Sequence, residues 1–169
     1  DLYKYAGPSH WNDPDMLEVG NGVLNETQSP THFSMWAMMA APLMAGNDLR
    51  SMDRQTAEIL TNKEIVGIDQ DKLGIQGRKL WDYGDHEIWL KELENGEVAV
   101  CFLNRNPDNP WHLDYDWKLN GLGFIQHADL NQHTYSVRDL WMHRVVGTTA
   151  SHLKTEIPPQ GVAVYRLSP

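Results

Sequence analysis

Residues Gly7-Pro-Ser-His-Trp-Asn-Asp-Pro-Asp-Met-Leu17, continuing into Glu18-Val-Gly-Asn-Gly22, decide how the chain is read. Two aspartates, Asp13 and Asp15, flank Pro14. The proline fixes its own φ and biases Asp13 toward an extended conformation. Gly20 and Gly22 permit backbone turns that other residues resist. The stretch therefore reads as a strand end opening into a shaped loop, and loops held by a rigid scaffold carry function disproportionately. Spacing alone leaves two readings open. One is a polar turn in which Asp13 bonds its own backbone. The other is a carbohydrate or metal site.

Downstream, Ser29-Pro30 reads as a helix start, with Ser29 as cap and Pro30 in the first helical position. Phe33, Trp36, Ala37, Ala40 and Ala41 then recur on one helical face. Met35, Met38 and Met39 widen that face, as core methionines do. Pro42 stops the helix. Leu43-Met-Ala45 fits a short buried parallel strand, and Gly46-Asn-Asp-Leu-Arg50 the loop after it. Asp53 caps a second helix with Ala57 and Leu60 inward, and Asn62 caps another turn through Ile65 and Ile68. Strand, helix, strand, helix is a βαβα order.

Near Gly74 to Gly77 the periodicity changes. Short alternating runs follow at Ile88–Leu90, Glu97–Leu103, His112–Trp117, Tyr135–Trp141 and Val162–Leu167. Asn95-Gly96 is a strong hairpin signal. Asn104–Pro110 and Asn120-Gly-Leu-Gly123 read as polar turns. Regular short strands with turn signals predict an antiparallel sandwich. The expected boundary is residue 76. Residues 1–76 form the βαβα unit, with two short strands each followed by a helix, and residues 77–169 the sandwich; the chain is α+β overall.

Composition narrows the function classes. The net charge is −9 and the pI near 5.2, which argues against nucleic acid and anionic membrane as partners. Seven tryptophans suit a sugar-binding surface, although core filling accounts for most of them. The one cysteine, Cys101, sits in the apolar run Val98–Leu103 and reads as a buried, inert thiol. No apolar stretch approaches the ~20 residues that span a bilayer. The eight histidines are scattered without the convergence a zinc site needs, so no metal and no cofactor is expected. Asn25-Glu-Thr27 matches a glycosylation sequon, a weak three-residue signal. Asp48 and Arg50 have the spacing of an exposed ion pair. The chain opens without Met and within a motif, as a piece of something longer would.

Trp11-Asn-Asp-Pro-Asp-Met16 resembles the signature of the melibiase-type α-galactosidases, glycoside hydrolase family 27. The similarity continues through Leu17-Glu-Val-Gly-Asn-Gly22, Phe33-Ser-Met-Trp-Ala37, Ala41-Pro-Leu43, Asn47-Asp-Leu-Arg50, Asn62 and Gly74-Ile-Gln-Gly77. Ser9 departs from the glycine usual there. The resemblance implies the last two units of a (β/α)₈ barrel, a TIM barrel, followed by an antiparallel β-sandwich. Active sites of such barrels lie at the C-terminal ends of the strands. Asp13, Asp15 and Met16 would then end strand seven, and Asn47 and Asp48 strand eight.

Retaining hydrolysis needs two carboxyls about 5–5.5 Å apart. Asp13 and Asp15 do not suit it, because an i, i+2 pair across a proline cannot readily oppose itself about a sugar ring. The family's nucleophile follows strand four and its acid/base follows strand six, and no segment of these 169 residues matches either. No catalytic residue is therefore expected here. By resemblance Asp15 and Met16 line the galactose pocket, while Trp11, Asn12 and Asp13 hold the loop. The implied substrate is a galactose-containing oligosaccharide or glycoconjugate. The implied setting is secreted, periplasmic or lysosome-like. Protein partners would be the rest of the barrel or a second copy, because two lone parallel strands leave open edges and the helix bearing Phe33, Trp36 and Met39 would leave its apolar face uncovered. α-N-Acetylgalactosaminidase and β-L-arabinopyranosidase are the near alternatives. The rival of another class is a non-catalytic carbohydrate-binding or interaction module, which exposed, coplanar Trp111, Tyr115 and Trp117 would favour.

Overall fold

The first helix begins where side chains and backbone satisfy each other. In the computed structural model, which describes residues 2–118 and 125–169, Asn25 Oδ1 accepts from the amides of Thr27 (2.9 Å) and Gln28 (2.8 Å). Gln28 Oε1 accepts from the Asn25 amide in return (3.0 Å). This reciprocal pair is a capping box, and it starts α1 (Gln28–Met39) ahead of the expected cap. Ser29 lies inside the first turn, its hydroxyl donating to Asn25 O at 3.0 Å. The helix ends at Ala40, which takes a left-handed φ of 51°. The Ala40 and Ala41 amides return to Ala37 O and Trp36 O, a closing pattern that proline then cannot extend. Pro42 therefore follows the stop rather than making it.

α2 (Arg54–Leu60) and α3 (Lys63–Asp69) start as the sequence predicts. Asp53 accepts from the Thr56 amide, and Asn62 from those of Glu64 and Ile65. On α2, however, Thr56 and Ile59 are the buried residues, whereas Ala57 and Leu60 are half-buried. The Thr56 methyl lies against Gly20, where a Cβ would stand 2.7 Å from it, and this contact sets the rotation of the helix.

Neither strand expected before residue 76 forms among the described residues: the stretch leading into the Asp13–Asp15 loop holds a 3₁₀ turn (Leu2–Tyr5), and Leu43–Ala45 is not a strand. One parallel bridge joins Leu17 to Ala45, with Leu17 N on Met44 O (2.8 Å) and Gly46 N on Leu17 O (3.1 Å). A ladder grows only where both neighbours supply further extended residues, and among the described residues this pair has none.

The rest is antiparallel. β1 (Arg78–Asp82), β2 (His86–Glu92), β3 (Val98–Asn104), β5 (Ser136–Asp139), β6 (Arg144–Thr148) and β8 (Val162–Ser168) form a six-stranded sheet in the order β1-β2-β3-β8-β5-β6. β4 (Trp111–Tyr115) and β7 (Leu153–Ile157) form a two-stranded sheet opposite. Asn95 and Gly96 turn β2 into β3 with φ of 61° and 72°, the left-handed pair a tight hairpin requires. The turn expected at Asn120–Gly123 lies outside the described residues.

Two cores sit on either face of the large sheet. Ile88, Leu90, Val100, Phe102, Tyr115, Trp117 and Ile157 fill the space between the sheets. On the other face Ala99, Cys101, Leu140 and Val164 pack with Phe33, Ala37, Met38, Ile65 and Ile68 from the helices. The expectation that the apolar face of α1 would lie uncovered is thus corrected: the large sheet covers it. Buried Lys91 completes the join, donating from Nζ to Ala37 O at 3.0 Å. A cation suits that position, since the last carbonyls of a helix carry its negative end. Cys101 is fully buried and its thiol pKa is pushed up by burial, which leaves no reactive thiolate at neutral pH.

Candidate functional site

The loop from Gly7 to Gly22 is held at several places. Gly7 and His10 exchange backbone hydrogen bonds of 2.8 and 3.0 Å, closing a tight turn over Pro8 and Ser9. Ser9 has φ of 75°, a conformation that glycine adopts without strain and serine does not. That explains physically why glycine is usual there. Asn12 Nδ2 donates to Leu2 O (2.8 Å) and to Gln76 Oε1 (2.7 Å), tying the loop to the start of the large sheet.

Asp13 forms the Asx turn: its Oδ1 accepts from the Asp15 amide at 2.9 Å. This orients the backbone so that Asp15 takes φ of 78°. Aspartate tolerates the left-handed region better than most residues. Asp15 Oδ1 accepts from the Met16 amide at 2.7 Å, and the second oxygen has no partner among the described residues. Asp15, Met16, Asp13 and Trp11 are exposed, while Asn12 is half-buried. Leu17, directly after them, is buried in its bridge to Ala45. The sequence thus places an exposed carboxylate and an exposed thioether immediately before a buried anchor.

The helix behind the loop contributes two residues not assigned to it from sequence. Trp36 Nε1 donates to Asp15 O at 3.1 Å, and His32 Nε2 accepts from the Glu18 amide at 3.1 Å. The two rings lie 3.8 Å apart. Burial lowers the His32 pKa, which favours the neutral ring that can accept. Their i, i+4 spacing was the available signal, but the apolar periodicity of α1 hid it. Asn47 packs against Gly20, and its Oδ1 is buried without a partner among the described residues. Asp48 and Arg50 do form an ion pair (2.8 Å), exposed at both ends and therefore of little consequence to stability. Among the described residues no three His, Cys, Asp or Glu side chains converge as a metal would require.

Trp111, Tyr115 and Trp117 do not form a platform. They stand edge-on around Phe102 at interplanar angles of 68°, 70° and 69°. Tyr115 and Trp117 are buried. These three rings therefore do not favour a non-catalytic carbohydrate-binding module.

Comparison with known proteins gives the same picture. The family described as "Alpha galactosidase A" matches residues 1–71, and "Alpha galactosidase C-terminal beta sandwich domain" matches residues 83–167. Alpha-galactosidase A of Cellvibrio japonicus is 47% identical over 175 residues, covering 99% of this chain and 42% of that protein. The alpha-N-acetylgalactosaminidase of Gallus gallus is 37% identical over 171 residues, covering 99% of this chain and 40% of that protein. The crystal structure of alpha-galactosidase I from Mortierella vinacea superposes with a TM-score of 0.89 at 30% identity, over 98% of this chain and 41% of that one. The chain spans about two fifths of the length of the relatives it matches. It belongs to the melibiase-type α-galactosidase family, of which it carries the closing helical segment of the barrel and the C-terminal β-sandwich.

Proposed function

We propose that the chain is the C-terminal portion of a retaining glycosidase that removes terminal α-linked galactose, and that Asp15 and Met16 line its sugar pocket. The observation that carries this reading is the conformation of Asp15. Its φ of 78° is fixed from in front by Asp13 and from behind by Trp36. An exposed residue locked in a sparsely populated conformation points to use. The free carboxylate oxygen of Asp15 accepts a hydrogen bond from a sugar hydroxyl, and the Met16 side chain forms part of the apolar wall. Trp11, Asn12 and Asp13 hold the loop.

Asp13 and Asp15 are not the catalytic pair. One oxygen of each is occupied by a loop amide, and retention demands two carboxyls that face each other across the scissile bond. The nucleophile and the acid/base come from the other barrel strands. The chain divides at residue 76 into a barrel part, 1–76, and a sandwich, 77–169. Exposed Leu2, Tyr5, Val23, Met44 and Leu49 mark the surface on which the remainder of a barrel packs.

The test is Asp15→Asn, assayed with aryl glycosides in a complete barrel. Asparagine also tolerates the left-handed backbone, so the loop keeps its shape. Hydrogen bonds to charged groups are worth ~1.5–3 kcal/mol, so kcat/KM should fall roughly 10- to 150-fold. A change within about twofold would refute the placement of Asp15. The relative activity on α-galactoside, α-N-acetylgalactosaminide and β-L-arabinopyranoside decides the sugar.

A further inference from the structure

The pairing register puts two aromatic rings on the wrong side of the sheet for solvent. Trp81 pairs with Ile88 across β1 and β2, and the Tyr83 amide donates to His86 O at 2.8 Å. Residues opposite each other in an antiparallel pair share a face. Trp81 and Tyr83 therefore share the face of Ile88, the one that packs on β4 and β7. That second sheet has two strands against six, and β1 is the edge of the six. The inner face is left unroofed there. Trp81 stays 40% exposed and Tyr83 57%, with the ring centroids 6.2 Å apart and the planes 18° from parallel.

Past Tyr83 the surface drops into a cleft of about 360 Å³ between this hairpin and β4. Tyr83, His86, Trp111, His112, Asp114 and Tyr115 line it. The His86 and Trp111 rings stack in its wall at 4.4 Å and 7°. Tyr115 is only 3% exposed, and its hydroxyl has no hydrogen-bond partner among the described residues. Buried polar groups are rarely left so, and one that is calls for an explanation. The nearby strand faces carry both signs: Asp114 meets His152 (2.6 Å) and Lys154 (3.1 Å), and His112 meets Glu156 (3.2 Å).

We propose that this open mouth of the sandwich is a second saccharide site, which takes neutral pyranose units of a glycan chain. Three features select that ligand class. Two exposed, nearly parallel rings offer apolar faces on which the C–H faces of pyranoses lie. Donors and acceptors placed around an apolar floor suit a polyhydroxylated molecule. The −9 charge of the chain disfavours anionic glycans. The site lies on the sandwich and does not depend on the loop that bears Asp15.

The experiment is affinity electrophoresis of the 169-residue chain through gels containing soluble galactomannan or unsubstituted mannan. Retardation is expected, and it should persist in Asp15→Ala, which separates this site from the proposed sugar pocket. Trp81→Ala and Tyr83→Ala should each weaken retention roughly three- to tenfold, the scale of one aromatic stacking contact. Near-UV circular dichroism checks that the variants fold. In the unaltered chain the Trp81 indole N–H resonance should shift on titration with a galactosyl-mannobiose. Absence of retardation in both gels, or retention unchanged in the Trp81→Ala, Tyr83→Ala double variant, would overturn the proposal. So would a dimer that Trp81→Ala dissociates, because the rings would then serve self-association.

Discussion

Asn62 joins the helices to the sandwich through one side chain, and its replacement has a calculable cost. Its Oδ1 accepts from the amides of Glu64 (3.0 Å) and Ile65 (3.2 Å), capping α3. Its Nδ2 donates to the buried carbonyl of Leu140 at 3.1 Å. Asn62→Ala removes the cap, worth ~0.5–2 kcal/mol. It also leaves the Leu140 carbonyl unpaired, worth ~1–3 kcal/mol. Together these predict a loss of about 1.5–5 kcal/mol, or roughly 3–20 °C in Tm. Asn62→Asp separates the two effects: a carboxylate still caps α3, but it cannot donate to Leu140. It should retain the cap share of the stability and lose the rest. The assay is urea unfolding of the chain followed by tryptophan fluorescence and far-UV circular dichroism. A loss below ~0.5 kcal/mol for Asn62→Ala, the range of an ordinary surface change, would refute this account of the junction.

Two further changes follow the same logic. Burial raises Asp69 from an ordinary 3.8 to about 6, against the weaker pull of its bonds to Gln70 and of the charge on Lys91. The folded state thus holds this proton more tightly than the unfolded one. The stability it contributes is complete below about pH 4 and is lost as pH rises through 6. Asp69→Asn should therefore flatten the stability profile between pH 4 and 6 by roughly 2–3 kcal/mol relative to the parent, measured by urea unfolding at each pH; parallel profiles would contradict this. Ser9→Gly should stabilise the chain by about 1 kcal/mol, because it relieves the φ of 75°; a drop in Tm would show that the serine side chain compensates for its own strain.

Local chemistry was legible in the sequence wherever it acts alone. Asp53 and Asn62 are caps by residue type and position, and both cap. Asn95-Gly96 is a turn because of its backbone needs, and it turns. The alternating runs of β2, β3, β5 and β8 announced the sandwich. β1 and β6 carry no such signal because they are sheet edges with no consistently buried face, and β7, which buries only its two end residues, carries none either. α1 began early because Asn25 and Gln28 act as a pair, which the stronger Ser-Pro signal masked. The loop around Asp15 was recognisable from its residues, but not the helix that holds it. Trp36 and His32 lie on a face whose periodicity reads as core, and only the fold shows their polar atoms turned to the loop. The cover over α1 was equally hidden, since periodicity gives a buried face but not what buries it. Trp81 and Tyr83 carry no signal of a site in sequence, because their exposure follows from the unequal size of the two sheets.

Under the proposed function this chain supplies pocket-lining residues to a galactosidase barrel but not its catalytic carboxyls. This is tested most directly by aryl α-galactoside turnover in two proteins measured side by side. One is these 169 residues alone. The other is a chimera in which they replace the matching segment of the 47% identical Cellvibrio japonicus protein. No turnover is expected from the 169 residues, turnover is expected from the chimera, and kcat/KM of the chimera should fall on Asp15→Asn. Turnover by the 169 residues that vanishes in Asp15→Ala would contradict this reading, as would a folded chimera that is inactive.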